Sequence, residues 1–175
     1  MRKLVESTFV TIDGVIEVSD ELARPYFDDE WDGHALDLLE AADALLLGRK
    51  TYEVLAGYWP GRSGPISDRI NALPKHVASR TLKEATWNAT IIEGDVAQAV
   101  AKLKEQDGGT ILKFGTGELD RTLLGHGLVD EFQFWLIPIV VGLGERLFEG
   151  VETTLELLDT TRFKSGVVAL RYAPK

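Results

Sequence analysis

The chain has 175 residues, a formal net charge of −9 and no cysteine. This length suits one domain with a sizeable core. The negative charge argues against a nucleic-acid partner, which needs a basic face, whereas a small anionic ligand responds to its local site. The lack of cysteine excludes disulfides, thiolate nucleophiles and cysteine-ligated metals. No apolar run is long enough for a membrane span or a signal peptide, so we expect a cytoplasmic protein.

Short strands alternate with helices over the first two-thirds of the chain. The patterns predict strands over residues 3–12, 44–47, 76–79, 90–93 and 110–114. They predict helices over residues 30–41, 51–58, 66–73, 95–106 and 118–126. The mixed, acidic stretch 15–28 is predicted to be a loop. This alternation indicates right-handed crossovers and a mostly parallel sheet.

The last third of the chain is mainly strand. Strands are predicted over 130–141, where Pro138 interrupts the pattern, and over 163–172. This terminal pair can add an antiparallel hairpin to the parallel sheet. The predicted fold class is therefore α/β, with a single domain over 1–175. Both terminal strands are apolar enough to pair or pack across a two-fold axis, so we also expect a homodimer.

A glycine and two cations lie where the second predicted strand passes into a helix. Gly48, Arg49, Lys50 and Thr51 form this turn. The free N–H groups at the start of a helix bind anions, and the Thr51 hydroxyl can donate to a phosphate. The alternative is an ordinary polar turn, with solvated cations and with Thr51 serving only as a helix cap.

Two further turns have similar chemistry. Ser79 and Arg80 follow the strand over 76–79, and Gly115-Thr116-Gly117 follows the strand over 110–114. Ligands of open parallel sheets bind at the carboxyl ends of the strands, so we expect all these turns at one edge. Each turn alone is weak support for an anion site, and Asp120 occupies the third glycine position of the dinucleotide fingerprint.

Two aspartates are candidate catalytic residues. Asp13, followed by Gly14, ends the first strand and so lies at the ligand edge, or simply begins a turn. On a helical wheel of residues 31–42, Asp32 falls among apolar residues, which predicts an inward-facing carboxylate with a raised pKa. The alternative is that the helix begins after Asp32, which would then be its N-cap. The three histidines have no ligand spacing, so no metal site is predicted.

Together these motifs resemble the dihydrofolate reductase superfamily. More narrowly, the chain resembles the small bacterial proteins related to the reductase domain of riboflavin biosynthesis. The resemblance covers nearly the whole chain. Beyond the turns above, it rests on Ser7 before Asp13-Gly14, on 47–53, on 127–131 and on Pro138 followed by Gly142, Gly144 and Leu147-Phe148.

The resemblance implies a dihydrofolate-reductase-like three-layer domain that reduces a small heterocycle with NADPH. Arg49 and Thr51, in the turn with Gly48 and Lys50, would lie near the adenosine-side phosphates. Ser79 and Arg80 match the turn that takes the 2′-phosphate, and Gly115, Thr116 and Gly117 match the turn on the pyrophosphate. These assignments favour NADPH over NADH.

The resemblance also implies a role for Asp32. Folate reductases bind the pterin ring with one carboxylate on the first helix, sixteen residues before the Gly-Arg turn, and Asp32 precedes Gly48 by the same count. Val15-Ile16-Glu17 replaces the basic groups that the riboflavin-pathway enzyme has near its Asp-Gly turn. The substrate is thus left open between pterin-like and pyrimidine-like rings. A non-catalytic nucleotide- or ligand-binding protein is the alternative function.

Overall fold

A computed structural model describes residues 1–175. The strands are β1 (Leu4–Thr11), β2 (Ala42–Gly48), β3 (Lys75–Ala78), β4 (Ala89–Ile91), β5 (Thr110–Phe114), β6 (Glu131–Ile137), β7 (Leu155–Arg162) and β8 (Val168–Pro174). The helices are α1 (Asp20–Ala23), α2 (Asp29–Ala41), α3 (Arg49–Tyr58), α4 (Pro65–Ala72), α5 (Val96–Glu105) and α6 (Glu118–Gly125). None of these helices is long and apolar enough to cross a membrane.

The eight strands form one sheet in the order β4-β3-β2-β5-β1-β6-β8-β7. All pairs from β4 to β6 are parallel, whereas β8 runs antiparallel to both β6 and β7. The predicted α/β class, the mostly parallel sheet and the antiparallel C-terminal addition are confirmed.

Two apolar layers cover the sheet. Residues of α5 and α6, such as Val100 and Leu123, are buried on one face with Leu4. Residues of α2 and α4, such as Leu39 and Ile70, are buried on the other face. Apolar side chains on both faces explain the unbroken apolar run of β2, since a strand between two helical layers has no solvent side. The protein is therefore a three-layer domain.

The C-terminal strands differ from the prediction in two respects. Strand β6 ends at Ile137, just before Pro138, which has no N–H to continue the ladder. Strand β7 was not predicted, because six of its eight residues are exposed, none is buried, and its sequence does not alternate between apolar and polar residues. Strand β8 begins at 168 and not at 163, because Phe163 and Val167 close a tight turn through Gly166, whose φ is +93°.

The stretch 15–28 is more ordered than the predicted loop. It contains α1 and a single 3-10 turn, Arg24–Tyr26. Buried Val15 forms an isolated antiparallel bridge with Arg146, which ties the beginning of the stretch to the segment after β6. The loop prediction was therefore wrong for 20–26, where four-residue and three-residue helical turns are too short to produce a periodic pattern.

Candidate functional site

The predicted turns follow the carboxyl ends of four parallel strands. Strands β1, β2, β3 and β5 run in the same direction, so their last residues lie at one edge of the sheet. Gly48 ends β2, Ser79 follows β3 and Gly115 follows β5. This placement is the one expected from the sequence.

The turn at Gly48 begins α3 directly. Gly48 is the N-cap residue and has no side chain, and Thr51 makes no capping hydrogen bond. The Thr51 hydroxyl instead lies against Gly115. Any side chain at position 115 would place its Cβ 2.8 Å from the Thr51 Oγ1. Gly115 also has φ +73°, so both its backbone conformation and the close approach of Thr51 favour a glycine at this position. The first and third turns are therefore in contact, and the interpretation of Thr51 as only a cap is wrong.

Ion pairs hold the cations of the first two turns. Arg49 forms an ion pair with Glu53, one helical turn later in α3, with an N···O distance of 3.0 Å. Lys50 lies 3.7 Å from Glu145, beyond β6. Arg80 donates to both oxygens of Glu118 on α6, at 2.9 and 3.0 Å, and both side chains are largely exposed. The last pair joins the second turn to the third, so all three turns form one continuous edge.

Ser79 shapes its own turn. Its Oγ accepts hydrogen bonds from the backbone N–H groups of Leu82 at 2.9 Å and Thr81 at 3.2 Å. The hydroxyl thus fixes the backbone that presents Arg80 to solvent.

The third turn opens α6 over buried charges. The Gly117 N–H donates to Asp120 Oδ2 at 2.6 Å, and the Lys113 ammonium donates to the Gly115 carbonyl. The next two N–H groups, at the start of the helix, have no partner inside it. The Thr116 hydroxyl is buried and makes no hydrogen bond. These free donors suit an oxyanion such as a phosphate.

A cavity of about 260 Å³ lies beside this turn. Its walls are the beginning of α6 and the segment that follows Gly144, and Arg121 and Arg146 both line it. Arg121 donates to the Glu149 carbonyl at 2.7 Å, and Arg146 donates to the Asp13 carbonyl. Sequence reasoning did not single out these two arginines.

Asp13 organises the turn after β1. Its Oδ1 accepts from the Thr11 hydroxyl at 2.6 Å and its Oδ2 accepts from the Gly142 N–H at 2.7 Å. The Thr11 and Gly142 hydrogen bonds lower the pKa of the Asp13 carboxyl, so it remains ionised at neutral pH. Asp13 therefore joins the Asp-Gly turn to the Gly142 segment and is a poor proton donor.

Asp32 does not face the interior, and the inward orientation predicted by the helical wheel was wrong. Helix α2 begins at Asp29 with Asp28 as its N-cap, whose carboxylate accepts from the Trp31 N–H at 2.9 Å. The alternative with Asp32 as the N-cap was wrong as well. Trp31 takes the inward position and its ring stacks on Phe27 with centroids 4.5 Å apart. Asp32 is exposed in the first turn of the helix.

The Asp32 carboxyl nevertheless has an altered affinity for protons. Partial desolvation raises its pKa above the ordinary value, and the negative charges of Asp29 and Asp28 raise it further. The carboxyl therefore holds a proton at a higher pH than a freely solvated aspartate does. The predicted direction of the pKa shift is confirmed, although full burial is not its cause.

The mostly parallel sheet between two helical layers, with its antiparallel C-terminal strands, is a dihydrofolate-reductase-like α/β fold. Residues 2–169 match the family model of the RibD C-terminal domain, and the chain belongs to that family. The resemblance to the riboflavin-pathway branch is thereby confirmed.

Relatives and solved structures agree with this assignment. The uncharacterized protein YyaP of Bacillus subtilis (strain 168) is 32% identical to this chain, covering 98% of the chain and 94% of the relative. A protein of Shewanella sp. PV-4 named for riboflavin biosynthesis has a TM-score of 0.80 at 20% identity, with 99% of each chain covered. A pyrimidine reductase-like protein of Corynebacterium diphtheriae has a TM-score of 0.70 at 13% identity, covering 99% of this chain and 92% of its own. At these identities the two structures show the shared fold.

Proposed function

We propose that the protein is an NADPH-dependent reductase that transfers hydride to a small pterin- or pyrimidine-like heterocycle. The observation that carries the proposal is the joining of the three turns: Thr51 contacts Gly115, and Arg80 pairs with Glu118. Membership of the RibD C-terminal domain family and the likeness to a pyrimidine reductase-like protein support the reaction class.

The donors at this edge fit a dinucleotide with phosphate groups. A Cβ at Gly48 or Gly117 would meet no atom within 4 Å, so the backbone at both helix starts is open to a ligand. The Thr116 hydroxyl is buried there without a partner. The glycine turns would hold the diphosphate, and Arg49 and Lys50 would add positive charge on the adenosine side.

Arg80 is the residue proposed to distinguish NADPH from NADH. Its Nη2 already donates to both carboxylate oxygens of Glu118, and the other N–H groups of the guanidinium are left to bind the oxygens of a phosphate. A 2′-phosphate would replace Glu118 as its partner. Because the Arg80–Glu118 pair is exposed, it contributes little to stability and is easily exchanged.

NADPH, when bound, supplies the hydride. The protein's own residues would orient the ring and manage the proton. Asp32, whose pKa is raised, would hold the heterocycle and donate a proton directly or through water. Asp13 stays ionised and would keep the Gly142 segment in place beside the site.

A non-catalytic nucleotide-binding protein is the second candidate function. The solvent-facing position of Asp32 favours it, because an exposed carboxylate can bind a cationic or amide-like group without any need for turnover. Both functions need the same three turns, so nucleotide binding does not separate them. Turnover by the wild-type chain does, and the Asp32 variant described in the Discussion tests the role of the carboxylate.

Nucleotide binding is tested by thermal unfolding. At a hundred-fold excess over its Kd, NADPH is expected to raise Tm by roughly 5–10 °C, and NADH by less. Arg80→Ala should reduce the difference between the two nucleotides, because the partner of the 2′-phosphate is lost. Arg62→Ala is the control, since Arg62 is exposed beyond the far end of α3. Equally weak protection by both nucleotides would contradict the cofactor assignment.

We also propose that the chain forms a homodimer. Strand β6 lies between β1 and β8, so it has no free edge with which to pair with a second copy. The edge strands are β4, with three residues, and β7, with eight, and β7 exposes Leu157 and Leu158 at 52% and 46%. An exposed edge strand with adjacent apolar side chains is suited to a second copy. Sedimentation equilibrium should give twice the 19.3 kDa chain mass, and Leu157→Lys with Leu158→Lys should give the monomer.

A further inference from the structure

Three charged side chains are completely buried beneath the glycine turn. Glu6 of β1, Lys113 of β5 and Asp120 of α6 are exposed at 0%, 1% and 2%. The Lys113 Nζ lies 2.7 Å from Asp120 Oδ1 and 3.5 Å from Glu6 Oε2. Buried charges are costly, and apolar residues of similar volume are often at least as stabilising. A purely structural role therefore leaves the choice of these residues unexplained.

Two members of this cluster bond directly to the turn. Lys113 donates to the Gly115 carbonyl, and Asp120 accepts from the Gly117 N–H. The first and last residues of the turn are thus held by the same ion pair. The Thr116 hydroxyl between them is left free, as are the N–H groups that begin α6.

The charges of the cluster balance only if one carboxyl is neutral. The single ammonium lies closest to Asp120, which also accepts the Gly117 N–H. Glu6 lies farther from the ammonium, at 3.5 Å, and burial raises the pKa of its carboxyl well above the ordinary value, with the neighbouring Asp120 raising it further against the effect of Lys113. Glu6 therefore carries its proton, and Lys113 and Asp120 form the ion pair.

We propose that Lys113 and Asp120 are positioning residues that hold the Gly115–Gly117 turn in the shape that binds the cofactor diphosphate. Glu6 fills the space below them as a neutral acid. This inference rests on the proposed NADPH-binding function. It adds residues that touch neither cofactor nor substrate and that act through the backbone of the turn.

Two replacements of Asp120 separate positioning from stability. Asp120→Ala removes the acceptor of the Gly117 N–H, whereas Asp120→Asn keeps an oxygen there but removes the charge. Both variants should lose stability, because Lys113 loses its counter-charge. Only Asp120→Ala should weaken NADPH binding strongly, by about tenfold, the effect of one lost hydrogen bond on the turn. Lys113→Met should weaken binding similarly, through the Gly115 carbonyl.

Val100→Ala and Glu6→Gln are the matched controls. Val100 is fully buried on α5 in the same apolar layer, so its truncation lowers stability without touching the turn. Glu6→Gln replaces a neutral acid with a neutral amide and should leave NADPH affinity unchanged. An unchanged Kd in Asp120→Ala and Lys113→Met, at a stability loss like that of Val100→Ala, would overturn the positioning role.

Amide hydrogen exchange of the free protein gives a readout without nucleotide. Asp120→Ala should speed exchange in 115–119 more than Val100→Ala does, and Asp120→Asn should restore protection. Failure of the wild-type chain to bind NADPH would refute the proposed function, and the exchange data would then decide alone whether the cluster shapes the turn. Equal exchange in all variants would overturn the inference.

Discussion

Replacing Asp32 with asparagine is expected to lower the steady-state rate of reduction by about 10²–10⁴-fold, the usual contribution of a positioned proton donor. NADPH affinity should not change, because Asp32 lies on α2 and belongs to none of the three turns proposed to bind the nucleotide. The measurement is NADPH oxidation with pterins, pyrimidines, quinones and dihydrofolate as acceptors, followed by titration of NADPH into each variant.

Asp37→Asn is the control for this substitution. Asp37 is also exposed on α2, but it lies outside the first turn and near neither Asp28 nor Asp29 in sequence. It should retain the wild-type rate. Turnover of the Asp32 variant at the wild-type rate would remove Asp32 from the mechanism, and a wild-type chain that binds NADPH without oxidising it would support the non-catalytic alternative.

The same residue should set the alkaline limb of the pH profile, on which the rate falls as pH rises. A proton donor acts in its protonated form, so kcat/KM should fall as pH rises through the pKa of Asp32. Because desolvation and the charges of Asp29 and Asp28 raise that pKa, the fall should begin above the ordinary aspartate range. Asp32→Asn should abolish this limb and leave any others.

Most of the sheet could be predicted because its signals are local. The apolar run before Gly48 and the β-branched residues of β1 reveal strands between two helical layers. The helix predicted over 95–106 is α5, and Asp95 is its N-cap, whose carboxylate accepts from the Gln98 N–H at 2.8 Å. The common location of the turns could be predicted from topology alone, because the carboxyl ends of parallel strands lie at the same edge of the sheet.

The orientation of Asp32 could not be predicted, because it depends on how helix α2 is rotated about its own axis, and the local sequence does not fix that rotation. A helical wheel assigns faces only relative to the other residues on it, and it places Asp32 between Leu39 and Leu36, about 100° from Trp31. Aromatic contacts fix the rotation of the helix, because Trp31 packs against Phe27 of the preceding loop and Trp135 of β6. These contacts join distant parts of the chain.

The buried cluster was missed for a related reason. Glu6 and Lys113 interrupt apolar strands, which was a usable signal, but their partner Asp120 lies on a helix. Only the register that places Glu6 opposite Lys113 shows that the charges meet. Strand β7 had no comparable signal, because an edge strand pairs on one side and keeps polar residues on both faces.

Lys75→Met is expected to stabilise the protein by up to about 3 kcal/mol at pH 7, from a pKa lowered by burial from 10.5 to about 8. Lys75 is 1% exposed at the start of β3 and has no carboxylate partner. Its ammonium donates to the Asn71 carbonyl at 3.0 Å and lies 4.0 Å from the centre of the Trp87 ring. Loss of the contact with Trp87 offsets roughly 0.5–2 kcal/mol of the gain.

The gain should depend on pH in a defined direction. The folded pKa is lower than the unfolded one, so the unfolded chain binds more protons between pH 8 and pH 10.5. The destabilising effect of Lys75 is therefore complete below pH 8 and disappears as pH rises through that window. In urea unfolding at pH 7, 8, 9 and 10, the difference in free energy of unfolding between Lys75→Met and wild type should be largest at pH 7 and should shrink from pH 8 to pH 10.

Lys102→Met is the control, because Lys102 is exposed on α5 and its replacement should change stability by no more than about 0.5 kcal/mol at any pH. Subtracting the wild-type curve removes the contributions of the tyrosines and other lysines that titrate in the same pH range. A destabilised Lys75→Met variant, or a difference that does not vary with pH, would mean that Trp87 and Asn71 compensate the buried charge. A shrinking difference would instead show that β3 retains an ammonium at a net cost to the stability of the fold.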